Sequence, residues 1–183
     1  MLYKRRVVLG LLTVSVCLAP AFPACADPPL RFSFDFCDGV QGWEAGFADY
    51  YAGQESEMEL EAGLRELPEE IGEGTGFWLH GNNHSDDLFM YLKRRLGPEN
   101  GIQANQRYRV RFVLTFASNA PSNCMGIGGP PGEAVTLKAG ATPVEPLGVV
   151  QDDGSIRMNV DKGNQAAGGP AASVVGDIAN GID

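Results

Sequence analysis

The chain has 183 residues, 14 Lys and Arg against 23 Asp and Glu, and a net charge of −9, with 24 glycines and 12 prolines spread along it. That acidity argues against nucleic acid and anionic membrane as partners, because both select basic patches. It is compatible with a soluble protein that takes a cation or a neutral sugar.

The N-terminus reads as an export signal over residues 1–26. Lys4, Arg5 and Arg6 form a positive segment, residues 7–19 an apolar one, and Ala24-Cys25-Ala26 a small-residue cleavage site. The apolar run is too short to cross a hydrocarbon core, which needs roughly 20 residues, and Pro20 and Pro23 interrupt it. The route is Sec or twin-arginine. Arg5-Arg6 partly matches the latter, but Lys4 stands where Ser or Thr is usual. Cys25 is a poor lipidation site after Phe22-Pro23-Ala24, so cutting after Ala26 is expected. The protein is then periplasmic or extracellular, with no membrane contact once the signal is gone. Removal takes three of the 14 basic residues and none of the 23 acidic ones, which leaves a charge of −12. Residues 27–183 form a single domain large enough for a core. Cys37 and Cys124 remain, and in an oxidising compartment an even pair is expected to form a disulfide.

Short apolar segments between Gly and Pro predict strands joined by turns. Residues 31–36 alternate, with Phe32, Phe34 and Phe36 on one face. Residues 57–60 and 76–80 are further candidate strands. Residues 85–96 have local helix marks: Ser85 as N-cap, Asp86 and Asp87 near the positive dipole end, and Lys93, Arg94 and Arg95 near the negative end. They also alternate from Leu88 onward, and the surrounding β pattern decides for strand. Residues 107–117 are the cleanest strand, with Tyr108, Val110, Phe112, Leu114 and Phe116 on one face. Residues 134–139 and 172–178 follow the same logic. Asp153-Gly154 between residues 147–150 and 156–160 predicts a hairpin. The Gly- and Ala-rich end at Asn180-Gly181-Ile182-Asp183 reads as a turn, consistent with a truncated C-terminus.

Several strings occur together: Phe34-Asp35-Phe36 with Gly39, Gly42 and Trp43; Gly46-Phe47-Ala48-Asp49-Tyr50; residues 85–90; and Tyr108-Arg109-Val110-Arg111-Phe112. They are similar to the jelly rolls of carbohydrate-binding modules. More closely, with residues 126–133 and 161–165, they resemble a family of exported bacterial β-sandwich proteins of uncharacterised activity. The resemblance covers nearly the whole of residues 27–183. It implies an all-β, antiparallel β-sandwich of jelly-roll type whose relatives continue past position 183; fold alone fixes no function.

Residues 80–87 are the densest polar cluster. Asn83, Asp86 and Asp87 supply oxygens suited to calcium, although the spacing is not an EF-hand and Asx turns explain the same residues. No other cofactor is expected. No Gly-x-Ser-x-Gly elbow occurs, and neither cysteine has a catalytic motif around it. Glu57, Glu59 and Glu61 would share one strand face, as glycosidase carboxylates can, or form a charged edge. A sugar site needs aromatic platforms beside amides and charges. Tyr50 and Tyr51 are the expected exposed platforms, with Trp43 and Trp78 in the core. Asp49, Asn82, His84, Lys162, Asn164 and Gln165 are the polar candidates. The reading is an exported, non-catalytic domain that binds a glycan. A sandwich glycoside hydrolase or lyase, and a structural envelope protein without a small ligand, are the alternatives.

Overall fold

The computed structural model describes the backbone of residues 12–17 and all of residues 29–84, 87–126 and 129–182. The rest of the export segment, with its cleavage site, lies outside the described residues, as does Asp86. The protein is all-β and antiparallel, and among the described residues its helical content is one 3-10 turn, Pro98–Asn100. In chain order the strands are β1 (Leu12–Cys17), β2 (Leu30–Phe34), β3 (Glu44–Ala48), β4 (Tyr50–Tyr51), β5 (Glu61–Glu66) and β6 (Thr75–His80). Then come β7 (Phe89–Lys93), β8 (Arg109–Val113), β9 (Thr136–Ala139), β10 (Gly148–Val150), β11 (Ser155–Met158) and β12 (Ser173–Asp177). The chain divides into two compact units. One comprises Met1–Trp43, Leu64–Phe77 and Arg94–Ala117; the other Glu44–Gly63, Trp78–Lys93 and Ser118–Asp183.

The first unit is built on the sheet β2-β1-β8. Alternation sorts its flanking strands. On β8, Val110 and Phe112 are half-buried while Arg109, Arg111 and Val113 face solvent, and β2 buries Phe34 beside half-buried Phe32. Leu30, Phe32, Trp43, Tyr108, Val110 and Phe112 pack around Phe34. Trp43 meets it edge-on at 5.5 Å, and the Arg94 guanidinium lies 4.3 Å from its ring centre. After β2 the chain reverses around Asp35, whose Oδ1 accepts the Cys37 N–H at 3.1 Å and the Gln41 amide at 3.0 Å. Those bonds stabilise the carboxylate and lower its pKa.

The same turn explains a correction. The expected Cys37–Cys124 bridge is not formed, and both residues are free thiols. Cys37 is exposed at the turn with its Sγ 3.9 Å from the Asp35 carbonyl, and Cys124 is half-buried in the other unit. An even cysteine count says that a partner exists, not that backbone geometry brings the two thiols within the narrow reach of an S–S bond.

The second unit carries three small sheets, β3-β7, β10-β11-β4 and β12-β9. Segment 85–96 yields strand β7, paired residue for residue from Glu44 opposite Lys93 to Ala48 opposite Phe89. The hairpin at Asp153-Gly154 is present. Gly154 has φ +81°, the left-handed conformation such a turn needs, and Asp153 Oδ1 accepts the Ser155 N–H and hydroxyl at 2.9 and 2.6 Å.

Residues 57–60 are not a strand. The Met58 N–H bonds the Gln54 carbonyl at 2.9 Å in a run of turns, Met58 is buried, and β5 starts only at Glu61. Glu57 and Glu59 therefore leave the carboxylate row expected of a strand face.

At Gly46, opposite Tyr91, a Cβ would fall inside the contact distance of the Tyr91 ring, whose hydroxyl accepts the Gly148 N–H at 3.2 Å. Gly46→Ala is expected to lower stability by about 1–3 kcal/mol through overpacking, read from urea melts.

Candidate functional site

The site grows from one backbone irregularity in the second unit. Between β3 and β4 the chain passes through Asp49, which has φ +62° and donates its N–H to the Ile156 carbonyl at 2.6 Å. Aspartate is among the few residues that tolerate this left-handed conformation, because its short polar side chain bonds locally. The kink leaves Asp49 8% exposed. A buried carboxylate needs a partner. Lys162 provides it, Nζ to Oδ2 at 2.7 Å, with its own side chain only 14% exposed.

From that pair a chain of charges runs outward. Arg157 on β11 stands 3.8 Å from Asp49 Oδ1 and 3.8 Å from Asp87 Oδ2, with nearly half its side chain in solvent. Asp87 Oδ1 accepts the Gln165 side-chain amide at 3.2 Å. Beneath Lys162, whose Nζ lies 4.7 Å from its centre, is the Phe89 ring, stacked on Tyr91 at 5.7 Å. Positive and negative groups alternate, so the surface offers both donors and acceptors.

The loop that carries Lys162, Asn164 and Gln165 is held from below. Lys138 on β9 donates to the carbonyls of Lys162 at 3.1 Å, Ala167 at 2.9 Å and Asn164. All three ammonium donors go to backbone. Burial and the neighbouring Lys162 charge lower the Lys138 pKa. Inside the loop, Asn164 Oδ1 accepts the Ala166 and Ala167 N–H groups at 3.0 and 2.8 Å.

Of the residues singled out from the sequence, Asp49, Lys162 and Gln165 come together here, and Asn164 shapes their loop. Tyr50 differs from expectation. It is buried, its hydroxyl 3.4 Å from Glu55 Oε1, and burial raises its pKa above the ordinary 10.0. Tyr51 is exposed as expected.

Asn82 and His84 are exposed on the turn that leads to Asp87, and the Asn82 N–H bonds the Met58 carbonyl at 2.7 Å. For calcium, Asn83 Oδ1 accepts the Leu88 N–H at 3.4 Å and Asp87 faces Arg157 and Gln165. Among the described residues, no three His, Cys, Asp or Glu side chains converge on a point where an ion could sit.

Arg157, Lys138 and Phe89 were not anticipated as site residues. Arg157 is an outward position of a predicted hairpin strand and Lys138 lies inside the predicted strand 134–139, and nothing in either stretch of sequence marks them as site residues.

A shallow groove of about 480 Å³ lies elsewhere, lined by Asn123, Cys124, Met125, Gly126, Pro130 and Glu133 among others, and it includes no member of this cluster. Comparison with known proteins finds no matching family model, no matching curated protein and no matching solved structure.

Proposed function

We propose that the chain is an exported, non-catalytic domain of β-sandwich, jelly-roll type that binds an uncharged glycan through the surface around Asp49. The observation that carries this reading is the Asp49–Lys162 pair continued into solvent by Arg157, Asp87 and Gln165. Sugar hydroxyls are both donors and acceptors, and a row of alternating, mutually balanced charges matches them without selecting a charged ligand. The half-buried Phe89–Tyr91 stack holds the Lys162 ammonium from beneath and so fixes its position on this surface. The groups are also preorganised: Lys138 fixes the loop backbone, so little ordering remains to be done on binding.

The test is retention on a panel of neutral polysaccharides, followed by titration calorimetry. Arg157→Ala and Gln165→Ala, both at exposed positions, are expected to weaken binding, about tenfold for the charged Arg157 and about threefold for the neutral Gln165, while leaving the melting temperature within a degree or two. Absence of retention on every glycan would sink the reading.

A further inference from the structure

Charge is divided unevenly along the chain. Beyond residue 26 the first unit holds seven basic residues, all arginines, against eight acidic ones, and the second holds four against 15. The four in the second unit are engaged. Lys93, Arg157 and Lys162 face carboxylates, and Lys138 is held by backbone carbonyls. Three of the seven in the first unit are not. Arg107, Arg109 and Arg111 are exposed, and among the described residues none of them makes an ion pair.

Their common direction is set from the core side. Tyr108, Val110 and Phe112, which alternate with them, pack around Phe34. The Tyr108 hydroxyl accepts the Gln103 N–H at 2.6 Å, which pins the start of the run. Residues two apart in an extended chain point to the same side and stand about 6.6 Å apart, so the three arginines leave from a line about 13 Å long.

The spacing and the chemistry select a ligand. A guanidinium is a planar fork that grips a carboxylate by two parallel bonds, and it keeps its charge at any physiological pH. A straight row of three separated forks suits a linear polymer with single, spaced carboxylates. A nucleic acid is a poorer match. Duplex DNA carries a charge about every 1.7 Å, and a chain with a net charge of −9 repels so dense a polyanion. A polymer with one carboxylate per sugar meets the row with far less of that repulsion.

We propose that the outward face of residues 107–111 is a binding site for an anionic polysaccharide, a polyuronate whose carboxylates pair with Arg107, Arg109 and Arg111. It is separate from the surface around Asp49 and does not rest on that reading.

The test is titration calorimetry of the full chain with polygalacturonate, with the same polymer fully methyl-esterified, and with single-stranded oligothymidylate. Binding is expected to the first alone, and to weaken about fivefold as salt rises from about 0.05 to 0.5 M. Arg107→Gln, Arg109→Gln and Arg111→Gln should each weaken it about threefold, and the triple variant about thirtyfold, with melting temperatures unchanged within a degree or two. Arg95→Gln, which removes an exposed arginine of the same unit outside the row, should change nothing. Three Arg→Lys changes, which keep the charge but lose the fork, should fall between the parent and the triple Gln variant.

Equal binding of the esterified polymer, equal or tighter binding of oligothymidylate, or undiminished affinity of the triple Gln variant overturns the proposal. So does failure of the parent protein to bind polygalacturonate at about 0.05 M salt. If the triple variant melts several degrees lower, the single variants decide: a loss in each supports the row, and no loss in any overturns it. Retention on neutral polysaccharides is read separately, so either site can fail while the other stands.

Discussion

Phe34→Ala is expected to lower the stability of the first unit by about 3–5 kcal/mol, the range for removing a buried phenyl ring. Phe34 is 7% exposed, and six partly buried apolar side chains converge on it. Its replacement removes more than area. Trp43 loses its edge-on partner, and the Arg94 guanidinium loses the ring face it covers. A cavity at this point has few neighbours able to fill it, because the flanking residues are held by strand register. Domain stabilities run to about 5–15 kcal/mol in total, so the loss is a large share of what holds the unit folded. Phe34→Leu, which retains most of the volume, should cost less than half as much. Chemical denaturation with tryptophan fluorescence reads both, since Trp43 is the reporter next to the change. A loss under 1 kcal/mol for the alanine variant would mean that Phe34 is not the centre of this core.

The second large effect belongs to Asp49. Asp49→Ala is expected to cost about 3–5 kcal/mol, because it leaves the largely buried Lys162 ammonium without its counter-charge. It also places alanine at φ +62°, a conformation that costs a residue without a locally bonding side chain about 1 kcal/mol. The two contributions separate by substitution. Asp49→Asn keeps the tolerance for the left-handed backbone and an acceptor oxygen, and should cost distinctly less than alanine. Asp49→Gly relieves the backbone alone. The double variant Asp49→Asn with Lys162→Met should be more stable than the sum of its parts, since neither charge is then stranded. Thermal melts of these four variants, of Lys162→Met alone and of the parent protein make the comparison. Additivity would show that the two side chains do not act as a pair.

What could be read in advance depended on how local the cause was. The alternation of Val110 and Phe112 with arginines, and the turn chemistry of Asp153-Gly154, are contained in a few consecutive residues, and both elements form, although the strand keeps only Arg109–Val113 of the expected 107–117. For residues 85–96 the local signals favoured a helix. The decision for strand is made by β3, through pairing that no window around Leu88 contains. The reverse happened at residues 57–60, where glutamates alternating with Met58 and Leu60 imitate a strand. The Gln54–Met58 backbone bond curls that segment into turns.

The site was half legible for the same reason. Residue type marked Asp49, Lys162 and Gln165, but not which partners they would have. Arg157 and Lys138 act through distances set by the packing of β9 and β11, and nothing in their own neighbourhoods announces it. The disulfide was not legible either: counting thiols gave an even pair, and both are free.

The grip of Lys138 on three carbonyl oxygens has a bearing on how such a surface can change over generations. Carbonyls are common to all residues, so the loop's shape depends little on which side chains it carries. Asn164, which caps two amides from within, and Gly163, at φ +75° with the backbone of Ala167 and Gly168 packed where a Cβ would stand, are tied to their identities by that shape. Position 165 can vary while its backbone stays in register, and ligand preference can drift by single substitutions without the scaffold being renegotiated each time.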